Sequence, residues 1–370
     1  MYRLNHCLRG VRVLDLSSYL PGPFASQMLA DFGAQVVKIE SPNGDGMRLL
    51  GPTDADGTPV FHAALNAGKT ICRLDLKSDA GRRRLDDLLA EADVLIEGFR
   101  PGVMGRLGLG WNDLSTVHPR LIYCSLSGYG LGGPAEQLAG HDANYLATAG
   151  MLHRNGRPPR FFDPPIADMT SGLYAVIAIL GALQARRHDD KGCHIDLGIA
   201  DVAMPLQSFQ IAALDRAGPP RPETTYLNGG AAYYRIYGIR DGRHVVVGAV
   251  EPKFWQAFCH AAGRPDWIGR QADPIPQTDL IQEMDRFFSI LTAESCHARF
   301  AAADCCVTLV LDLAEAVATP HHTERGIVRR DGQGATHVLF PAVVNGEAPA
   351  LRHEMMETGE ARWACAISPA

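Results

Sequence analysis

The stretch that decides the fold is Val11–Glu40, VRVLDLSSYLPGPFASQMLADFGAQVVKIE. Val11–Leu16 is an apolar run of strand length, and S-S-Y-L-P-G-P follows it as a loop. Phe24–Phe32 has helical spacing, with Pro23 in the first turn, where a missing N–H is harmless. Gln35–Glu40 is a second strand, ended by Ser41-Pro42. A strand, a helix and a second strand at this spacing form a βαβ unit, which favours a parallel sheet with right-handed crossovers. The first loop does not read G-x-G-x-x-G, so a nicotinamide-dinucleotide fingerprint is missing where it would stand.

Outward from that unit the alternation continues. T-I-C-R-L-D-L is a strand ending at Lys77, Ala80–Ala92 an amphipathic helix, and Val94–Glu97 a strand running into G-F-R-P-G-V-M-G-R. Leu121–Leu126 is another buried strand, Gly172–Arg186 a strongly apolar helix, and H-I-D-L-G-I-A-D-V a short strand. An α/β, Rossmann-like large domain over residues 1–200 is expected. Residues 201–228 read as a linker, a helical pattern to 215 followed by a Pro/Gly-rich stretch that includes A-G-P-P-R-P from Ala217. Residues 229–325 read as a smaller α+β domain, with Y-Y-R-I-Y and H-V-V-V-G-A-V as a hairpin. Residues 326–370 would return to the large domain.

Composition limits the function classes. A chain of 370 residues, 46% hydrophobic and 21% charged, is ordinary for a two-domain globular protein. A formal net charge of -6 argues against general nucleic-acid binding. No continuous apolar run approaches the roughly 20 residues that span a bilayer, and M-Y-R-L-N-H-C-L-R-G lacks the apolar core of a signal peptide. Nine scattered cysteines with no C-x-x-C pair suit a reduced compartment better than a disulfide framework or a zinc site. A soluble, cytoplasmic protein without a metal or a membrane partner is expected.

Chemistry concentrates between Ser125 and Gly172. His141 is one of fourteen histidines, but it follows a loop with five glycines between Gly128 and Gly140, whose backbone can approach a ligand closely. Asp142 stands beside it. Asp168, in P-P-I-A-D-M-T-S-G, reads as the N-cap of the following apolar helix, where the helix field would keep its carboxylate ionised as a base. Arg100 and Arg106 fall just beyond the carboxyl end of a parallel strand, the place where α/β sheets bind ligands. Glu251 precedes a Pro-started helix and by spacing alone reads as a solvated acid. Neither a G-x-S-x-G elbow nor a P-loop occurs.

The chain resembles the family III CoA-transferase superfamily (CaiB/BaiF type), which also contains the α-methylacyl-CoA racemases. The resemblance covers nearly the whole length. It rests on G-V-R-V-L-D-L-S, A-D-F-G-A-Q-V-V-K-I-E, D-V-L-I-E-G-F-R-P-G-V-M-G-R-L-G-L-G, S-G-Y-G-L-G-G-P and K-G-C-H-I-D-L-G-I-A-D. It implies an interlocked-ring homodimer and an acyl-CoA thioester as substrate. It also implies that Asp168 is the acid shared by all branches. A G-H-D motif matched by His141 and Asp142, and an A-x-E-P motif matched by Ala249–Pro252, point to the racemase branch.

The reaction so implied inverts the α-carbon of a 2-methylacyl-CoA through an enolate. His141 and Asp168 exchange protons on opposite faces and Glu251 tunes the histidine. Backbone N–H groups of the glycine loop or of the Asp168 helix terminus would receive the enolate oxygen. Lys69, Arg100 and Arg106 are expected at the CoA phosphates, with Asp142 and Tyr145 positioning the loop and pantetheine. CoA enters only as part of the substrate, and no cofactor is required. The alternative is a CoA-transferase in which Asp168 is the nucleophile, forming an aspartyl-acyl anhydride and then an aspartyl-CoA thioester.

Overall fold

In a computed structural model, which describes residues 2–332 and 334–363, the Val11–Glu40 stretch sits at the middle of the main sheet. Strand β1 is Arg12–Asp15, helix α1 Pro21–Asp31 and strand β2 Gln35–Glu40. The chain continues with α2 (Val60–Asn66), β3 (Thr70–Arg73), α3 (Asp79–Leu89), β4 (Val94–Glu97), α4 (Val103–Arg106), α5 (Trp111–Val117) and β5 (Ile122–Ser127). Helix α6 (Asp142–Thr148), the long helix α7 (Ile166–Asp189) and β6 (Cys193–Gly198) follow. From β1 the chain adds β2 and β3 on one side, then crosses to place β4, β5 and β6 on the other. All these strands pair in parallel. The reversal leaves a crevice at the carboxyl ends of β1 and β4, the switch point where such sheets hold ligands.

Alternation along each strand feeds two cores. Val13, Val94, Ile96 and Ile122 point to the face covered by α1 and α7, through Ala25, Leu29, Ala175 and Ile179. Leu14, Val37, Leu95 and Tyr123 point to the face covered by α3, through Leu85, Leu88 and Leu89. A sheet buried on both sides needs near-continuous apolar strands, which is what V-L-I-E and I-Y-C-S-L supply.

Helix α7 starts six residues before Gly172, at Ile166, and is long and apolar enough, by length and composition, to cross a membrane. This differs from the expectation of no such segment. Thr170, Ser171 and Gly181 interrupt its apolar runs without making the average polar. One face of the helix packs on α1, and a third of the apolar stretch is buried.

The chain divides into two compact units whose limits differ from the expected ones. The first comprises Met1–Ala149, Phe162–Leu206 and Thr319–Ala370; the second comprises Gly150–Phe161 and Gln207–Ala318. The expected linker is therefore split between the units, and Ser208–Ala217 within it forms helix α8. The second unit carries the antiparallel sheet β7 (Tyr234–Gly238), β8 (His244–Gly248) and β9 (Val307–Leu309), with helices α9 (Pro252–Ala262) and α10 (Thr278–Ser289). Its core is aromatic, with Trp255, Phe258, Trp267 and Phe288 buried together.

The C-terminal segment belongs to the first unit. Strands β10 (Val328–Arg330) and β11 (Thr336–Val338) form a hairpin, Phe340 then meets Phe32 with ring centroids 4.8 Å apart, and β12 (Met356–Glu357) joins the edge of the main sheet beside β3.

Candidate active site

At the switch point two strands end in buried acids that turn the chain. Asp15 accepts the Ser17 N–H at 2.9 Å and both the Ser17 and Ser26 hydroxyls. Glu97 accepts the Phe99 N–H at 2.8 Å. Each acid holds the residue two positions on, which bends the strand into the loop that walls the crevice. Burial by itself would raise the Asp15 pKa, but Lys38, Lys69 and the serine hydroxyls outweigh it, so Asp15 titrates below the usual carboxylate range. Among the described residues no cation is paired with Glu97, and burial pushes it up.

The crevice is a cavity of about 590 Å³. Ser17–Tyr19 and Gly98–Pro101 line one part of it, and Glu136–His141 another. Tyr145 fixes the last loop: its hydroxyl donates to the Gly140 carbonyl at 2.6 Å, and its ring lies against Gly128 and Gly140. A Cβ on Gly128 would stand 2.6 Å from that hydroxyl oxygen, so the loop requires glycine there. Burial raises the Tyr145 phenol to about 12, which leaves it a neutral hydrogen-bond donor.

His141 and Asp168, 27 residues apart in sequence, both line this cavity. His141 is the exposed residue immediately before α6, its backbone N–H donating to Asn144 Oδ1 at 3.0 Å. Asp168 is not the N-cap of α7, which is Pro165; it is the third helical residue. The capping is done from elsewhere. Asp142 Oδ1 accepts the N–H groups of Ala167 at 2.7 Å and Asp168 at 3.1 Å. This reverses the expected electrostatics, because the helix N-terminus is neutralised by Asp142 and no longer favours a second anion. Burial and the Asp142 charge raise Asp168 to about 7. A carboxyl of that pKa holds a proton about half the time at neutral pH, so it can both give and take one.

The other expected residues divide. Arg100 is exposed and lines the cavity; Arg106 is exposed at the end of α4, outside that lining. Lys69 is misplaced by the expectation. It is 1% exposed, and its ammonium donates to the Pro23 carbonyl at 2.8 Å and to Asn66 Oδ1 at 2.9 Å, with Asp15 at 3.6 Å. Burial brings it down to about 7. It anchors the start of α1 and cannot meet a phosphate. Asp142 is engaged by α7, as described. Glu251 belongs to the second unit, as the residue immediately before α9.

Glu40, Asp45 and His62 lie close enough together to hold a cation. The carboxylates already have cations, Lys38 2.9 Å from Asp45 and Arg48 2.7 Å from Glu40, so the donor set does not suit a metal. Burial works against the Glu40 anion, but His62 and Arg48 more than offset it and hold the carboxyl down at about 2.

Comparison with known proteins fits this arrangement. CoA-transferase family III matches residues 8–355. The chain belongs to that family. Family members similar to it include the human alpha-methylacyl-CoA racemase, 36% identical over 355 residues, covering 92% of this chain and 87% of that protein. Another is the human succinyl-CoA:glutarate CoA-transferase, 34% identical over 280 residues, covering 70% of this chain and 60% of that protein. Among solved structures of the family, a CaiB/BaiF protein from Brucella suis superposes with a TM-score of 0.83 at 27% identity, covering 96% of this chain and 97% of the other.

Tyr19, Glu97 and the capping role of Asp142 were absent from the sequence reading as site features. The first loop was legible as a loop but not as a wall of the site; the pattern Asp15-Leu-Ser17, an acid two residues before a hydroxyl at a strand end, is the turn signal that bends it there.

Proposed function

We propose that this family III enzyme is a racemase that inverts the α-carbon of a 2-methylacyl-CoA thioester by 1,1-proton transfer. The observation that carries the reading is a carboxyl held near pKa 7, Asp168, in the same cavity as the imidazole of His141. One group removes the α-proton and the other returns a proton to the opposite face; the roles exchange for the other enantiomer. A carboxyl that can either give or take a proton near neutral pH suits both directions. The Ala167 and Asp168 N–H groups are engaged by Asp142, so the loop from Gly128 to Gly140 is the source of donors for the enolate oxygen. One such donor is typically worth about 3 kcal/mol. Arg100 and Arg106 are the cations offered to the CoA phosphates, and Glu251 the acid that tunes His141. The reaction as proposed requires no cofactor.

The reading includes a homodimer in the cytoplasm. On α7, Ile177 is 64% exposed and Leu173 is also exposed, a face that a second copy would cover. Among the described residues eight cysteines are free thiols, as a reducing compartment requires.

The test incubates one enantiomer of a 2-methylacyl-CoA with the enzyme in D₂O, with and without a free carboxylic acid. Racemisation with deuterium at the α-carbon, independent of the acid, is expected. Transfer of CoA to the added acid with the α-hydrogen retained would replace this reading with the transferase reaction.

A further inference from the structure

Resting on the acyl-CoA reading, we propose that Tyr19 is a specificity-determining residue, its ring a fixed wall that the acyl group must fit. The buried Lys38–Asp45 ion pair is the brace that holds it. Tyr19 lines the cavity, is 50% exposed and has φ 64, a left-handed conformation unfavourable for a residue with a side chain. Such strain persists only where the surroundings over-determine it.

Here they do. The Tyr19 N–H donates to Asp45 Oδ1 at 3.0 Å, and the same oxygen accepts the Met47 N–H at 2.9 Å. The other Asp45 oxygen lies 2.9 Å from Lys38 Nζ, with both side chains fully buried. Lys38 also donates to the Ser17 carbonyl at 2.7 Å, so one buried pair ties the loop at Ser17 and at Tyr19. The ring rests on Gly46, where a Cβ would stand 2.5 Å from the phenolic oxygen. A buried ion pair is weak as a source of stability and better suited to fixing geometry.

The loop's position points to the acyl end of the substrate. The Pro21 carbonyl would be 2.9 Å from a Cβ on Gly172, one helical turn beyond Asp168. Tyr19 therefore precedes by two residues the point where its loop meets the helix carrying the reacting acid.

Dissociation constants of free CoA, acetyl-CoA and cyclohexanecarbonyl-CoA test this without needing turnover. Glycine tolerates the backbone at position 19 and removes the ring, so Tyr19→Gly folds. It is expected to lower the ratio of the cyclohexanecarbonyl-CoA to the acetyl-CoA constant about tenfold, with free CoA unchanged. Lys38→Met, if it folds, shifts the ratio in the same direction. An unchanged ratio, or equal weakening of all three ligands, overturns the proposal. Lack of α-exchange by the parent enzyme counts against the racemase reading alone, since the binding ratio is read separately.

Discussion

Asp142 controls Asp168 in two ways, as a neighbouring charge and as the acceptor that removes the α7 N–H groups from it. Asp142→Asn keeps an amide oxygen for those N–H groups and deletes the charge. The limb of the pH–rate profile that belongs to Asp168 is expected to move about one unit to lower pH. Stability should respond in a defined window. Between the ordinary carboxylate pKa and about 7 the native state holds a proton on Asp168 that the unfolded chain has lost, so this group's contribution falls as pH rises through that interval. The variant relieves that loss above pH 7 and changes little near pH 4. Urea unfolding at the two pH values, beside the pH–rate profile, checks both. A profile that stays in place would mean that burial alone sets the Asp168 pKa. An acid near an apolar helix was legible in P-P-I-A-D-M-T-S-G; its raised pKa was not, because that depends on a carboxylate 26 residues away in sequence. Lys69 failed for a similar reason. N-A-G-K-T reads as an exposed loop, and only the fold brings the Pro23 carbonyl to its ammonium.

Between elements, the site depends on how closely α1 lies against α7. Gly172 is the point of contact: a Cβ there would meet Phe24 Cδ1 and the Pro21 carbonyl, each at 2.9 Å. The backbone carbonyl cannot swing aside as a side chain could, so Gly172→Ala must move one helix. A cost of about 1–3 kcal/mol is expected for such overpacking. The shift is carried to the Ser17–Pro21 wall of the cavity, so catalysis should fall together with the unfolding midpoint. Gly181, on the same helix, has open space around its Cβ position. Gly181→Ala should be neutral or stabilising through helix propensity, by up to about 1 kcal/mol. Equal effects of the two substitutions on denaturation would show that the close crossing does not constrain the site. Strands β1 to β6 and helix α1 were readable from periodicity to within a few residues. The early start of α7 was not, because Pro164-Pro165 looks like a loop until the helix is seen to begin directly after it.

At the scale of the whole chain, the first unit is completed by residues far from its start. The His353 carbonyl accepts the Gly68 N–H at 2.8 Å, Met356 and Glu357 pair with Thr70 and Ile71, and Glu357 reaches Arg48 at 2.8 Å. Trp363 closes the segment: it is 8% exposed, packs in the core beneath α3, and its indole N–H donates to the Leu88 carbonyl at 3.3 Å. Nothing in the sequence near Trp363 marks it as core, since neither a helical nor a strand period surrounds it; its partner Leu88 lies 275 residues earlier. Removing a buried indole typically costs about 3–5 kcal/mol. Trp363→Ala should therefore loosen β3 and α3 selectively, because the second unit has a separate aromatic core around Trp255 and Phe258. Native-state hydrogen exchange read by peptide is the measurement. Faster exchange is expected in Thr70–Arg73 and Asp79–Leu89, with Tyr234–Gly248 unchanged. If protection falls in both units alike, the two cores unfold as one cooperative body and the tail stabilises the whole chain. If it falls in neither, the hydrogen bonds of β12 hold the sheet edge without the indole.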